Sequence, residues 1–278
     1  MVRSVAIFGP GLIGGSLLLA LRERHPEIRR IAWARRAEAL PPLGGADNVN
    51  LATTDPVEAA GQADLIILCT PIGSMASLVQ SFLHALSPHT LVTDVGSVKG
   101  TVEASLAPLL KGHARWLGSH PMAGSDKSGR DHARADLFVD AVTILTPTEQ
   151  TDPTAIQCLS AFWASLGSRL INASPEEHDR HVAAISHLPH LLAANLINAS
   201  PQESTAFAGP GFRDVTRIAA GPAAMWTEIL LQNRDAVLAA LDAFELETAL
   251  ARRALARGDA AAIESLLHKA CQSRRSLV

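Results

Sequence analysis

An α/β domain on a mostly parallel sheet, followed by an all-helical domain, is the fold class this 278-residue chain predicts. Short apolar runs alternate with helical patterns through roughly the first 150 residues, as strand–helix–strand units require. A glycine turn joins the first apolar run to the first helical pattern. From Ser174 the texture changes to Ala- and Leu-rich helical segments. The expected domains are residues 1–173 and residues 174–278.

Residues 4–8 (SVAIF) read as a buried strand, and GPGLIGGSLLLALRER as a glycine turn opening a helix. Residues 30–34 (RIAWA) form the second expected strand. ADLIILCT (63–70) and HTLVTDV (89–95) are two more, each followed by a glycine loop and a helical stretch. ARWLGS leads into GSHPMAGSDKSG (118–129), which three glycines and a proline mark as a loop. DAVTILTPT supplies a later strand, and a helix near 152–166 with the short strand RLINA closes the domain. In SPEEHD, Ser174 is placed as an N-cap, with Pro175 at the first helical position and Glu177 completing a capping box. Later helix breaks are expected near Ser200–Pro201, Gly209–Gly211, Gly221–Pro222 and Gly258–Asp259.

Hydrophobic residues make up 47% and charged residues 18%, which suits a globular chain and argues against disorder. A net charge of −3 without a Lys/Arg run gives no electrostatic case for nucleic acid. The cysteines (Cys69, Cys158, Cys271) lie far apart with no CxxC pair, as a reducing compartment allows. The opening MVRSVAIFGPG does not read as a signal peptide, and the apolar runs are shorter than the ~20 residues of a membrane span. A cytoplasmic protein without membrane partners is expected. The chain has no tyrosine, which excludes a tyrosine general acid or base.

Gly9, Gly11 and Gly14 make G-x-G-x-x-G between an expected strand and an expected helix. In that context backbone amides at the helix N-terminus can hold a pyrophosphate, and the domain reads as a Rossmann-type dinucleotide fold. Leu12 and Ile13 within the turn, and Thr70 and Pro71 at a later strand end, complete the cofactor set. An acidic residue that would bond the ribose 2′-hydroxyl is expected about 20 residues on. Ala34 stands there, followed by Arg35 and Arg36. Guanidinium groups would welcome a 2′-phosphate, so NADP is favoured, with NAD possible. The plain alternative is two solvated arginines after a strand.

Five segments, GPGLIGGS, DVGSVKG, GSHPMAGS, EEHDRHVAAISHLPH and GFRDVTRIA, stand in order and resemble the prephenate/arogenate dehydrogenases. The resemblance runs from about Val5 into the C-terminal helices. It implies a Rossmann domain joined to a helical dimerisation domain, a homodimer, and oxidative decarboxylation of prephenate to 4-hydroxyphenylpyruvate in tyrosine biosynthesis. Arogenate is the alternative substrate, and a non-enzymatic NADP sensor the rival reading outside enzymology. A β-hydroxyacid dehydrogenase is disfavoured because Lys269 is the only lysine after Lys127.

The resemblance implies that His120 polarises the substrate hydroxyl, since an imidazole can accept its proton as hydride leaves. Ser97 resembles a serine that bonds the same hydroxyl, although it could simply cap a helix. Arg217 is similar to an arginine that clamps a substrate carboxylate; a salt bridge to Asp179 or Asp214 is its structural alternative. His187 and His190 are implied to be pocket residues, with His190 nearer the substrate. Their i, i+3 spacing, with His178 and His181 upstream, also admits a metal reading, which Pro189 and the lack of a nearby cysteine disfavour. Trp226 is placed in the pocket or in a core. Asp126 stands where many relatives carry glutamate, and Lys99 is read as a surface residue.

Overall fold

Val5 and Ile7 face one side of the first strand and Ala6 and Phe8 the other, and all four are fully buried. Apolar residues on both faces are what a parallel sheet covered on each side demands. The structure, a computed structural model, describes residues 2–40, 49–124 and 129–276. Six strands make one parallel sheet: β1 (Ser4–Phe8), β2 (Arg29–Trp33), β3 (Leu51–Thr53), β4 (Leu65–Leu68), β5 (Leu91–Asp94) and β6 (Arg115–Trp116). Their order is β3-β2-β1-β4-β5-β6, so the chain reverses direction across the sheet between β1 and β4. Ligands in such sheets bind outside the carboxyl ends of the strands at that switch point.

The helices α1 (Leu12–Arg24), α2 (Pro56–Ala60), α3 (Ile72–Phe82) and α4 (Gly100–Leu110) connect these strands. Leu17, Leu18 and Leu21 of α1 pack with Val5, Ile7 and Trp163 on one face of the sheet. Met75, Val79 and Phe82 of α3 and Leu106 of α4 pack with Phe8 and Ile66 on the other. A second sheet holds β7 (Gly118–Pro121), β8 (Val142–Thr146) and β9 (Arg169–Asn172), with α5 (Pro153–Ser165) before β9. In it β7 runs antiparallel to β8, and β8 parallel to β9. Segment 118–121 is thus a strand where the composition suggested a loop. Pro121 is tolerated because β7 is an edge strand, where a missing N–H costs no ladder bond.

Ser174 caps α6 (Pro175–Val182) with the full capping box, its side chain accepting from Glu177 N while Glu177 accepts from Ser174 N. A π-turn, Ala183–His187, then leads into α7 (Leu188–Ala199). Its cause is local. Pro189 has no N–H and its ring crowds the carbonyl four residues back, so Leu188 N bonds Ala183 O instead. The run Pro175–Ala199 is long and apolar enough to span a bilayer by length and composition alone. Its buried positions, however, include His178, Asp179, His187 and His190. Those residues are what the run brings to the site described below. Next come α8 (Pro210–Thr216) and α9 (Ala223–Gln232).

The chain forms two compact units, Met1–Asn233 and Arg234–Val278. The first continues beyond Ser174 because α6 to α9 share its polar interior. The second holds α10 (Arg234–Arg257) and α11 (Ala260–Arg275), joined by Gly258 at φ 65° and Asp259, which caps α11. Leu238, Phe244, Leu246, Leu250 and Leu255 of α10 and Leu267 of α11 are exposed.

Candidate active site

The glycine turn lies at the carboxyl end of β1, beside the end of β4. Gly9 has φ 103°, and a Cβ there would stand 2.8 Å from Cys69 O and 3.3 Å from Thr70 Cγ2. Only glycine lets the two strand ends come together in this way. A Cβ on Gly14 would strike the Gly9 carbonyl, so this glycine allows α1 to seat against its own turn. Gly11, the N-cap of α1, has open space where its side chain would be and no side-chain cap. A crevice of about 800 Å³ opens there, lined by Gly9, Gly11, Ala34, Arg35, Arg36, Thr70 and Pro71 among others. Thr70 Oγ1 is buried without a hydrogen-bond partner among the described residues. Open Gly11, an uncapped helix N-terminus and an orphaned hydroxyl fit a dinucleotide: amides for the pyrophosphate, and Thr70 for a polar group of the ligand. Leu12 and Ile13 occupy the first turn of α1 but do not line the crevice.

His120 lies on β7, only 8% exposed, opposite Ile144 of β8. Its Nδ1 is 2.8 Å from His178 Nε2, and His178 Nδ1 is 2.8 Å from Asp179 Oδ1. Asp179 also accepts from two backbone amides, Lys99 N at 2.7 Å and Gly100 N at 2.8 Å. The N-terminus of α4 is therefore capped from α6 and not by Ser97. Lys99 is no surface residue, being 1% exposed. Its ammonium donates to Asp94 and, at 2.8 Å, to Ser119 O. A lysine can be buried there because the Asp94 carboxylate meets it and a backbone carbonyl accepts a further N–H. Asp94 is completed by Gly96 N at 2.8 Å.

Burial pushes the His120 imidazole well below its ordinary range, and the neighbouring His178, Lys99 and His187 lower it further. Burial likewise lowers His178, against an opposing pull from Asp179. His187 is lowered to about 4 by burial, again opposed by Asp179. All three rings are neutral near pH 7. Asn233 links them, its Nδ2 lying 2.8 Å from Asp179 O and 3.0 Å from His187 Nδ1. Asn233 thus donates to His187 Nδ1, which leaves the His187 proton on Nε2. That nitrogen is buried without a partner among the described residues, as is His190 Nδ1.

Trp226 of α9 joins the group, its ring stacked on His190 with centroids 3.6 Å apart and edge-on to His187 at 6.3 Å. Gly221 permits that stack, since a Cβ there would stand 2.6 Å from Trp226 Nε1. Ser97 is half-buried in the loop after β5, and its backbone bears on His187. Arg217 is exposed in the turn after α8, which packs on α7. Among the described residues Arg217 forms no ion pair with Asp214, and Asp179 is committed to α4 and His178. Asp126 lies outside the described residues. Reading the sequence missed Lys99 and Asp94 as a buried pair and Asn233 as a link. His178 and Asp179 stood within EEHD, but their partners are 58 and 80 positions away, and no local pattern encodes such a distance.

Two family models match consecutive parts of the chain. One, described as the nucleotide-binding domain of prephenate dehydrogenase, covers residues 19–172; the other, described as its dimerization domain, covers residues 174–269. The chain belongs to the prephenate dehydrogenase family. A prephenate dehydrogenase of Bacillus subtilis is 35% identical, over 87% of this chain and 67% of that protein. A cyclohexadienyl dehydrogenase of Zymomonas mobilis is 34% identical, over 92% of this chain and 90% of its own length. The crystal structure of Aquifex aeolicus prephenate dehydrogenase, in complex with hydroxyphenyl propionate and NAD+, superposes with a TM-score of 0.92. It is 28% identical, over 100% of this chain and 99% of that one. Membership in this family makes the chain an oxidoreductase that uses a nicotinamide cofactor.

The depressed His187 has a consequence for stability. A histidine whose folded pKa lies below its unfolded value stabilises the fold fully above about 6.5. That contribution falls away as pH drops toward about 4. His120, His178 and His190 are lowered too and act with the same sign. Denaturant unfolding at pH 7 and pH 4.5 should therefore show a steep loss in the wild type. The loss should be shallower in His187→Gln, by up to about 3 kcal/mol.

Proposed function

We propose that the chain converts prephenate to 4-hydroxyphenylpyruvate and carbon dioxide, with hydride passing to a nicotinamide dinucleotide. One observation carries the reading: a buried, neutral histidine of the nucleotide-binding half, linked to the histidines of the helical region, in a chain of this family. His120 takes the proton of the ring hydroxyl as hydride departs from the carbon that bears it. Its depressed pKa keeps the ring unprotonated, at the expense of basicity. Aromatisation of the product supplies the driving force that a weak base lacks. The dinucleotide, when bound, would supply the hydride acceptor, held by Gly9, Gly11, Thr70 and Pro71 of the crevice lining. Ser97 steadies the hydroxyl, and His187 and His190 offer ring nitrogens that lack protein partners. Arg217 presents a planar fork to a substrate carboxylate, and Trp226 sets the pose of His190 by stacking. Asp126 is assigned to the substrate side.

NADP is proposed as the preferred cofactor. Ala34 stands at the end of β2 with no carboxylate to meet a 2′-phosphate, while Arg35 and Arg36 are exposed on the crevice wall. The carboxylates among the lining residues are Glu38 and Asp131. A homodimer formed through the helical region is proposed as well, supported by the dimerization-domain match and the exposed leucines of α10 and α11.

Purified protein given prephenate and NADP should raise absorbance at the reduced-nicotinamide band, and a parallel reaction with arogenate compares the two acids. His120→Asn should lower kcat by about 10²–10⁴ with a smaller change in KM. Arg217→Ala should raise KM for the acid and leave cofactor affinity nearly unchanged. Normal turnover by His120→Asn would refute the assignment. Arg35→Ala should narrow the NADP/NAD ratio of kcat/KM by roughly 1.5–3 kcal/mol; equal use of both cofactors by the wild type would overturn the preference. Sedimentation at micromolar concentration should give twice the 29.3 kDa chain mass, and a monomer would count against the dimer.

A further inference from the structure

The reaction proposed above requires His120 to accept a proton at a ring nitrogen that carries none. A neutral imidazole has one protonated and one bare nitrogen, and which is which depends on the partners of the ring. His120 has one protein partner among the described residues, the His178 ring at its Nδ1. The state of His120 is therefore decided one residue further back.

The order of donors runs in a single sense. Both Asp179 oxygens already accept from backbone amides, Oδ1 from Lys99 N and Oδ2 from Gly100 N. An ionised carboxylate has acceptor sites only, so the 2.8 Å bond to His178 Nδ1 must be donated by His178. His178 is then bare at Nε2. Across the 2.8 Å contact His120 must donate from Nδ1. The remaining nitrogen of His120, Nε2, is left with its lone pair. Reversing the tautomer would set two lone pairs against each other inside a buried contact.

We propose that Asp179 and His178 are positioning residues that fix the Nδ1–H tautomer of His120 and so make its Nε2 the proton acceptor. Neither touches the substrate in this role. The sense of the relay is anchored in the main chain, because the amides that orient Asp179 belong to the first turn of α4. Other groups facing His120 are Lys99 and His187. Lys99 donates to Asp94 and Ser119 O, and His187 Nδ1 accepts from Asn233, so neither competes for His120 Nδ1. The kinetic part of the inference rests on the proposed reaction; the tautomer itself does not.

The test separates the two. Protein labelled with ¹⁵N-histidine, free of substrate and cofactor, is examined by two-bond ¹H–¹⁵N correlation, which distinguishes Nδ1–H from Nε2–H rings. Asp179 also caps α4, so His178 is the position to vary. His120 in the wild type should show the Nδ1–H pattern. His178→Leu should lose that pattern and lower kcat by about 10–10³-fold with little change in KM. His178→Gln can donate to Asp179 through its amide nitrogen and accept from His120 through its oxygen. It should restore the pattern and keep kcat within about threefold of the wild type, since donor and acceptor sense are preserved. An Nε2–H pattern in the wild type overturns the proposal whatever the variants do. So does a His178→Leu protein with unchanged tautomer and kcat, or a His178→Gln protein as impaired as His178→Leu. If the wild type shows the Nδ1–H pattern but turns over neither cyclohexadienyl acid, the reaction is at fault and the tautomer stands.

Discussion

The Asp179 carboxylate takes three donors, the Lys99 and Gly100 amides and the His178 ring, and most of the polar interior depends on it. Those bonds cap α4 from another element, since Lys99 at the N-cap offers no side-chain cap. They hold α6 against the carboxyl end of β5, and they place His178 within 2.8 Å of His120. Burying a carboxylate is costly unless its lone pairs are met, and here charge-assisted bonds meet them. The helix N-terminus adds its own favourable field.

A second buried pair lies beneath the first. Lys99 turns its side chain inward to Asp94 and Ser119 O, which ties the end of β5 to β7, the strand that carries His120. Main chain and side chain of one lysine thus face in different directions, the amide to Asp179 and the ammonium to Asp94. This arrangement excludes an ordinary solvated lysine. Gly118 is glycine for a separate reason: a Cβ there would stand 2.5 Å from Thr146 Oγ1 on the neighbouring strand. The π-turn at Ala183–His187 contributes in its own way. Its wider spacing ends at His187, which receives a hydrogen bond from Asn233 at the end of α9. Proline is the physical cause, and the positions of His187 and His190 follow from it.

Much of this was legible beforehand. The apolar run in SVAIF, the glycine spacing and the Ser174 capping box are local patterns, and each became the element it indicated. The helix breaks at Pro201, Gly209, Gly221 and Gly258 were equally local. Two readings failed for a shared reason. Segment 118–121 looked like a loop because its glycine and proline content outweighs its apolar content, yet β8 pairs with it. Lys99 looked exposed because lysines usually are, yet Asp94 lies within reach of it. In both cases a partner supplied by the fold overrode a local preference.

The sequence alone determined the class of the fold, the place of the dinucleotide turn, the family, and the histidines and arginine worth testing. These depend on spacings of a few residues or on the order of short motifs, which a linear chain displays in full. Only the tertiary structure decided which donor meets which acceptor. His120 and His178 are 58 residues apart, Lys99 and Asp179 80, and Asp179 and Asn233 54. A hydrogen bond needs its atoms within about 3 Å and in line, and no pattern along the chain specifies that for residues so distant. The protonation sense of the site therefore comes from folding, which brings α6 to the N-terminus of α4.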